Sequence, residues 1–367
     1  MSELIIEKNV LLPALLVMAG AIDKRQRLPI LANLLIKFNH NNLILTATDL
    51  EIEITASLNC TTSATPGAIT IPAKKFIDII RSLDAPEIKI IINDANVLIK
   101  SGSGHFKLLT LPAEQFPVEN YTTPDCIFKI DRLCLWQLLQ STHFAMSQQE
   151  IRVFLNSLFF EIDGNKITTV AIDGHRMAIC KLHIAGSYAT QQLLLPRRGV
   201  LEILRVINNI QDDTLEIMTS KKYFRITSAQ YSFITKLTDA NFPCYQKAIT
   251  LEYDKFIQID RDALKRALAR ILILANEKSR GVLMQIQPEG LTLIAHNQEQ
   301  EEAQESIAAL IDSPVFKIGV NANYLHEVLH YLPDGMINLS MISEDKSILV
   351  QSLRNPDYQY IIMPMKI

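Results

Sequence analysis

The sequence predicts an α+β fold made of three similar units, each with helices on one face of antiparallel β-sheets. The first observation is a repeat, because the segment around Asp173 recurs around Asp49 and Asn297 at intervals of roughly 124 residues. The second observation is the order helix, strands, helix, strands, which each unit repeats. Three like units in succession predict an arc rather than a single globule, and an arc can close through a symmetric dimer.

The length of the chain agrees with three units. At 367 residues it exceeds the roughly 150 residues of a typical domain, and each third is long enough to bury its own core. We expect domains at residues 1–124, 125–252 and 253–367. The composition, 48% hydrophobic and 20% charged, is that of a folded protein rather than a disordered one.

Hydropathy, cysteine spacing and charge exclude several classes of protein. No apolar run approaches the ~20 residues that span a bilayer, and the acidic start lacks a signal-peptide head, which predicts a cytoplasmic protein. The five cysteines lie far apart, so we expect reduced, structural thiols. A net charge of −3 counts mildly against nucleic-acid binding, although a local basic stripe would still attract phosphates.

The first unit opens with an apolar helical run for which Asn9 is the expected cap. After Asp49, apolar and acidic residues alternate, as they do in a half-buried strand. The expected elements are a helix at 9–21, strands at 43–45 and 50–54, a helix at 76–83, and strands at 88–92 and 97–100.

The second and third units repeat this order. The expected elements are helices at 131–146 and after 195–200, with strands within 158–179, and then helices at 260–275 and 323–331, with strands within 282–295 and at 361–367. Pro72, Pro196 and Val320 occupy matching places before the second helix of each unit.

Basic residues recur on the predicted helices. In the helix at 260–275 the 3.6-residue period separates a basic side from an apolar side that contains Leu264 and Leu268. The basic residues on these helices and their approaches are Lys74, Lys75, Arg81, Arg197, Arg198, Arg205, Arg261, Lys265, Arg266 and Arg270. They are either solvated helix faces or a lining for a phosphate backbone, and the pattern alone leaves both open.

Short motifs in register along the whole chain resemble those of the bacterial DNA polymerase III beta subunit family, the replicative sliding clamps. They are Leu28-Pro29-Ile30-Leu31, Thr48-Asp49-Leu50-Glu51, Thr110-Leu111-Pro112, Asp173-Gly174-His175-Arg176, Pro196-Arg197-Arg198-Gly199-Val200, Phe242-Pro243 with Tyr245, Asn276-Glu277-Lys278, Glu299-Gln300-Glu301-Glu302-Ala303 and Met363-Pro364-Met365. The resemblance implies a head-to-tail homodimeric ring of three-domain protomers. Duplex DNA passes through the ring, and no catalytic residue, metal or cofactor is expected.

The resemblance also implies a DNA-facing set and a partner site. The DNA-facing residues are Arg25, Lys74, Gln149, Val153, Phe154 and Arg197. The family often has tyrosines at the positions of Val153 and Phe154. Short peptides from the replicative polymerase, the clamp loader and DNA repair proteins would bind at Leu155, Ile172, Gly174, His175, Arg176, Met177, Pro243, Lys247, Ile361, Ile362, Met363, Pro364 and Met365. Ile172 stands where the family commonly has Thr, and Lys247 where it commonly has Arg.

For the dimer contact, the resemblance implies that the end of the first domain meets the third domain of another copy. The expected residues are His105, Phe106, Lys107, Leu108, Ile273, Leu274, Glu299, Glu301, Glu302 and Glu305. The glutamates call for cations across the contact, and Lys100, Lys107 and His105 are available.

Three other functions compete with this one. His326-Glu327-x-x-His330 on a predicted helix is the zinc-peptidase pattern, in which two imidazoles bind the metal and the glutamate acts as base. Asp173 and His175 could belong to a catalytic triad, but no motif supplies a nucleophile. A DNA-binding scaffold that never closes into a ring is the third.

Overall fold

The computed structural model describes residues 2–22, 28–39, 41–62, 66–93, 95–118, 123–249 and 251–367. The chain divides into two compact units, Met1–Trp136 with Arg198–Leu237, and Gln137–Arg197 with Thr238–Ile367. The middle repeat contributes to both units, because each large sheet joins strands of two successive repeats. Among the described helices, none has the length and apolar character needed to cross a bilayer.

The helices are short, and several of them are amphipathic. In chain order they are α1 (Lys8–Met18), α2 (Ala73–Ser82), α3 (Arg132–Gln140), α4 (Arg197–Ile207), α5 (Gln246–Ile249), α6 (Arg261–Ile271) and α7 (Ala322–Tyr331). In α6 the Asp260 carboxylate caps the helix by accepting from the Ala263 N–H at 2.8 Å. Its apolar side, with Leu264 and Leu268, is fully buried as the periodicity predicts.

The first unit contains a five-stranded and an eight-stranded sheet, both antiparallel. The strands are β1 (Ser2–Glu7), β2 (Asn33–Asn39), β3 (Asn42–Thr48), β4 (Ile52–Asn59), β5 (Thr61–Thr62), β6 (Gly67–Pro72), β7 (Glu87–Ile92), β8 (Asn96–Ser101), β9 (Gly104–Leu109), β10 (Cys126–Asp131), β13 (Thr214–Thr219), β14 (Tyr223–Thr227) and β15 (Tyr231–Lys236). Their orders are β5-β1-β7-β8-β9 and β10-β13-β14-β15-β4-β3-β2-β6.

The second unit contains a seven-stranded and a four-stranded sheet. The strands are β11 (Ser157–Ile172), β12 (Arg176–Pro196), β16 (Lys255–Asp260), β17 (Gly281–Gln287), β18 (Gly290–His296), β19 (Glu302–Ile307), β20 (Leu310–Asp312), β21 (Phe316–Asn321), β22 (Met336–Met341), β23 (Ile348–Ser352) and β24 (Tyr358–Ile362). Their orders are β11-β12-β24-β23-β22-β16-β20 and β19-β18-β17-β21.

Three local predictions from the sequence are wrong. Asn9 does not cap α1, because the helix begins one residue earlier and no side chain bonds its first turn. The helix expected at 131–146 ends at Gln140, where Thr142 bonds back to the Leu138 carbonyl before a short 3₁₀ turn. The helix expected at 260–275 ends at Ile271 and continues only as turns.

The segment that recurs around Asp49, Asp173 and Asn297 is a turn, and in each copy one side-chain carboxylate or carboxamide closes it. Asp49 Oδ1 accepts from the N–H groups of Glu51 (2.9 Å) and Ile52 (2.8 Å), and Asp173 Oδ1 accepts from those of His175 and Arg176, both at 2.9 Å. In the third copy the Asn297 carboxamide plays the same role for Glu299 and Glu301, at 3.0 and 2.9 Å. The third turn is one residue longer, which fixes Glu301 as the equivalent of Arg176 and Ile52.

Candidate functional sites

The turn between β11 and β12 places the polar end of the candidate peptide site. Gly174 has φ +91°, a left-handed conformation that an L side chain rarely adopts, and the flanking Asp173 closes the turn. Gly174 and His175 are exposed, and the His175 ring stacks on Tyr324 at 6.1 Å between centroids. The turn therefore presents backbone and an imidazole to solvent beside α7.

Arg176 ties this turn to two other segments of the same unit. Its guanidinium donates to Asp173 Oδ2 at 2.9 Å, to Glu327 Oε2 at 2.6 Å and to the Phe144 carbonyl at 2.9 Å. It lies 5.1 Å from the centre of the Phe144 ring and 4.6 Å from that of Tyr324. Because the side chain is 9% exposed, Arg176 acts as a buried strut rather than as a free cation for a ligand.

Beside the turn, neighbouring strands supply an apolar floor. Met177 on β12 pairs with Ile361 on β24, and Ile361 pairs with Leu349 on β23. These three belong to one apolar cluster with Phe159, Val170, Ile179, Leu194 and Tyr245. The half-buried side chains packed on it include Phe154, Ile172, Phe242, Ala248, Ile249 and Tyr253.

The segment 239–249 forms a wall over this floor and is fastened by Tyr245. Its ring lies 5.8 Å from that of Phe159, and its hydroxyl donates to Glu161 at 3.2 Å. Burial, and then the neighbouring Glu161 carboxylate, raise the pKa of Tyr245 well above its ordinary value, so the phenol stays protonated. Pro243 and Lys247, which the resemblance places in the site, are exposed on this wall.

The C-terminal residues form the other wall. The Met363 N–H donates to the His175 carbonyl at 2.8 Å, and the Met365 N–H donates to the Gly319 carbonyl at 2.9 Å. A Cβ on Gly319 would come within 2.3 Å of the Met365 carbonyl oxygen, so only glycine lets the tail approach β21 this closely. Met363 is 46% exposed, while Pro364 and Met365 are half-buried.

Two of the residues expected in the site are buried beneath it. Ile362 is fully buried and points to the opposite face of β24 from Ile361, and Leu155 is 2% exposed. Ile362 and Leu155 therefore belong to the packing beneath the site and not to its surface. Sequence reasoning did not name Phe159, Val170, Ile179, Leu194 or Leu349, whose signal was only the apolar alternation of their strands.

A comparison of the repeats shows how this junction differs from the equivalent junction of the first unit. In the first unit β4 pairs with β15 as β12 pairs with β24 in the second. There the row equivalent to Met177, Ile361 and Leu349 reads Glu53, Ile234 and Arg225. Of these two junctions, only the second has three adjacent apolar side chains on its row.

The DNA-facing candidates fall into both units. Arg25 lies outside the described residues. Lys74 is exposed on α2 of the first unit, and Gln149 and Val153 are exposed in the second. Phe154 is half-buried, edge-on to Phe242 at 6.2 Å, which fits a packing role.

Most of the arginines expected to line a basic face bond to protein groups. Arg197 donates to the Met146 carbonyl at 3.0 Å, and Arg205 bonds Glu202 and the α1 carbonyls of Leu16 and Val17. The ion pairs are Arg81–Asp78, Arg198–Asp49, Arg205–Glu202, Arg261 with Asp262 and Asp334, and Arg270–Glu305. Of the remaining side chains, Lys265 lies beside His330, while Lys74 and Lys75 in the first unit and Arg266 in the second are exposed, so each unit has fewer free cations than the sequence suggested.

Six of the ten dimer candidates lie on strands at the ends of their sheets. His105, Phe106, Lys107 and Leu108 belong to β9, the last strand of the five-stranded sheet, and Glu302 and Glu305 belong to β19, the last of the four-stranded sheet. Leu108 is 8% exposed within the chain, whereas Leu109 and Ile273 are 74% and 78% exposed. Leu274 is half-buried, Glu301 bonds the Asn297 amide at 2.6 Å, and Glu299 is exposed.

The H-E-x-x-H sequence on α7 has other partners. Glu327 accepts from Arg176, and His330 Nδ1 lies 3.1 Å from the Lys265 ammonium. Burial, followed by Lys265, lowers the pKa of His326. In the described parts of the chain no three His, Cys, Asp or Glu side chains are grouped so that they could hold a metal ion.

Comparison with known proteins agrees along the whole chain. Three family models match in succession: the DNA polymerase III beta subunit N-terminal domain at residues 2–122, its central domain at 129–244 and its C-terminal domain at 246–366. The chain is 36% identical over 364 residues to a beta sliding clamp of Pseudomonas aeruginosa and 34% over 363 residues to that of Escherichia coli K12, covering 99% of both chains in each comparison. A crystal structure of a P. aeruginosa sliding clamp bound to griselimycin matches with a TM-score of 0.96 and 35% identity over 100% of both chains.

Proposed function

The chain belongs to the DNA polymerase III beta subunit family, and from this premise we propose that it is a DNA sliding clamp, a processivity factor that closes into a head-to-tail homodimeric ring around duplex DNA. The observation that supports ring closure is that one strand of the first repeat and one of the third lack the pairing that their equivalents make within the chain. Within the chain, β4 of the first repeat pairs with β15 of the second, and β12 of the second pairs with β24 of the third. The equivalents left over are β19 of the third repeat and β9 of the first.

The repeat also supports a specific register for that contact. Glu7 in the first repeat and Asp131 in the second are equivalent, because each ends a strand just before a helix. Counting from each of them across the successive paired strands aligns Lys107 with Ile234. Glu302 is the equivalent of Glu53, which pairs with Ile234. In the proposed dimer, Lys107 of one copy therefore faces Glu302 of the other, an attractive cross-strand pair.

Closing two sheet ends in this way also removes two unpaired strand edges. Exposed edges expose backbone N–H and C=O groups that invite uncontrolled pairing, and a defined partner strand satisfies them. The exposed Leu109 and Ile273 supply apolar area near these strands, and the glutamates of 299–305 give an acidic surface that disfavours pairing of β19 with itself. Head-to-tail pairing is thus favoured over head-to-head pairing.

A ring needs only weak, sequence-independent contacts with DNA. Lys74, Lys75 and Arg266 supply exposed cations, while most of the neighbouring arginines are held in ion pairs. Phosphate contacts of this kind are salt-sensitive and do not read bases, which suits sliding. We propose that topology, rather than affinity, keeps the protein on its template in the bacterial cytoplasm.

The floor of Met177, Ile361 and Leu349 between two walls is the proposed docking site for partner peptides. The floor itself is buried, and the exposed Met363 with the half-buried Phe154 and Ile172 beside it offer apolar area for anchor side chains. The polar turn at Gly174 and His175 offers groups that orient a peptide backbone. Partners would be the replicative polymerase, the clamp loader and repair proteins. The protein itself is proposed to be non-catalytic.

Retention on DNA tests the ring. The protein is loaded on a nicked circular duplex, freed of unbound protein by gel filtration, and the circle is then cut with a restriction enzyme. A ring remains on the circle and leaves after the cut, whereas a scaffold that binds without encircling is retained equally on both. Equal retention would remove the clamp proposal, and stoichiometric zinc with peptidase activity would replace it by the metallopeptidase.

A further inference from the structure

We infer that a cavity on the third repeat, lined by residues that belong to neither the proposed peptide site nor the proposed dimer contact, binds an arginine side chain of a partner protein. The cavity has a volume of about 320 Å³ and opens on one face of the seven-stranded sheet, over β16, β20 and β22. Its lining residues are Phe256, Gln258, Leu310, Ile311, Asp312 and Asn338. This inference does not depend on ring formation or on peptide docking at Met177.

One buried acceptor in the cavity lining has no hydrogen-bond donor. The Asn338 side chain donates from Nδ2 to Ser340 Oγ at 2.9 Å, but its Oδ1 is buried and accepts no hydrogen bond. A buried acceptor without a donor is unfavourable, and a ligand N–H would relieve it. The cavity therefore favours a hydrogen-bond donor over an acceptor.

Comparison with the middle repeat shows that the Asn338 acceptor is a feature of the third repeat. Asn338 pairs across the sheet with Gln258, and the equivalent pair in the middle repeat is Lys129 with Glu216. A charged pair of opposite sign can satisfy itself, whereas two amides leave acceptor capacity for a third group. The third repeat thus has two neutral amides where the middle repeat has two residues of opposite charge.

Charge and shape select the class of ligand. Asp312, which is exposed beside Phe256 on the neighbouring strand, is the one charged residue in the lining. Leu310, 68% exposed, and the half-buried Phe256 provide apolar surface for an aliphatic stem or for the face of a guanidinium. A guanidinium has five N–H donors in a planar fork, so it suits a lining whose acceptors, Asp312 on β20 and Asn338 on β22, lie on separate strands better than the compact ammonium of lysine does.

Methyl NMR of the full-length protein tests the inference, with Leu310 and Ile311 as reporters. The probe is N-acetyl-arginine-N-methylamide, and the neutral isostere N-acetyl-citrulline-N-methylamide is its control. We expect saturable shifts of both reporters with a dissociation constant on the order of 1 mM, as for a single side chain. The lysine derivative should bind several-fold more weakly, and citrulline should give no saturable shift.

Three variants separate recognition from damage to the fold. Asp312→Asn should weaken arginine binding three- to tenfold, and Gln258→Glu, which adds a carboxylate at the rim, should strengthen it. Glu344→Gln changes the net charge by the same amount as Asp312→Asn at an exposed position outside the lining and should have no effect. Equal binding of citrulline, or equal weakening by Glu344→Gln, would overturn the inference, as would the absence of reporter shifts in the wild type.

Discussion

Replacing Arg176 by Met tests whether the buried guanidinium holds the peptide-site turn against α7. Methionine keeps an unbranched stem but removes the three hydrogen bonds to Asp173, Glu327 and the Phe144 carbonyl. The Phe144 carbonyl bond is buried, so its loss is expected to cost about 1–3 kcal/mol. Glu327 is 43% exposed and is rehydrated easily, so its share is about 1 kcal/mol or less.

Without the bond to Asp173, the Phe144 and Glu327 terms sum to about 1–4 kcal/mol of local stability, and a value of about 3 kcal/mol corresponds to about a 100-fold change in an opening equilibrium. Amide hydrogen exchange on segments 171–180 and 322–331 measures that opening directly. Arg176→Met should accelerate exchange about 100-fold in both segments, whereas Glu327→Gln should accelerate it by about fivefold or less. In the double variant the two effects should add to less than their sum, because the residues share one ion pair.

Arg152→Met is the matched control, since Arg152 is an exposed arginine that comes near the same turn. Its exchange should change by less than about twofold. Unchanged protection in 322–331 for Arg176→Met would refute the view that Arg176 braces α7. Equal acceleration by Arg152→Met would show instead that any charge loss near the turn loosens it.

Three further expectations concern pH, dimerisation and peptide binding. Burial lowers the pKa of His143 in the folded state, so the unfolded state binds more protons below about pH 6.5. The free energy of unfolding should therefore fall from pH 7.5 to 5.5, by up to about 1.4 kcal/mol per pH unit. His143→Gln should flatten that slope in urea titrations. Lys107→Glu should weaken dimerisation about tenfold or more in low-salt sedimentation, and Glu302→Lys in the same chain should restore it, whereas failure of the rescue would refute the proposed register. Met177→Glu, which copies Glu53 of the first junction, should lower the affinity for a fluorescent apolar-anchor peptide about 30-fold or more, and unchanged anisotropy would remove Met177 from the site.

The parts of the fold that depend on local chemistry could be predicted from the sequence. Asp49, Asp173 and Asn297 close equivalent turns because each has a short side-chain oxygen that accepts nearby backbone N–H groups. The buried side of α6 followed its 3.6-residue period. Helix ends were predicted less well, because Asn9 and the residues after Gln140 form turns that periodicity does not distinguish from helix.

Contacts between distant segments could not be predicted in this way. Met177 and Ile361 lie on adjacent strands although most of the second half of the chain separates them, so only the family resemblance placed them together. The motif on α7 drew attention as a metal pattern, yet Glu327 is the ion-pair partner of Arg176. The arginines that pair with carboxylates on other segments looked like free cations for the same reason.

The apolar row at the junction beside Met177, which the equivalent junction of the first unit lacks, has a consequence for competition among partner proteins. Because the equivalent row of the first unit contains Glu53 and Arg225, our proposal gives an apolar anchor one docking site at the two within-chain junctions, beside Met177. Proteins that use the same kind of anchor must then take turns, and occupancy follows their concentrations and dissociation constants by simple competition. Under this proposal a second partner binds the site of a protomer only after the first has dissociated, so the residence time of the anchor sets the rate of exchange.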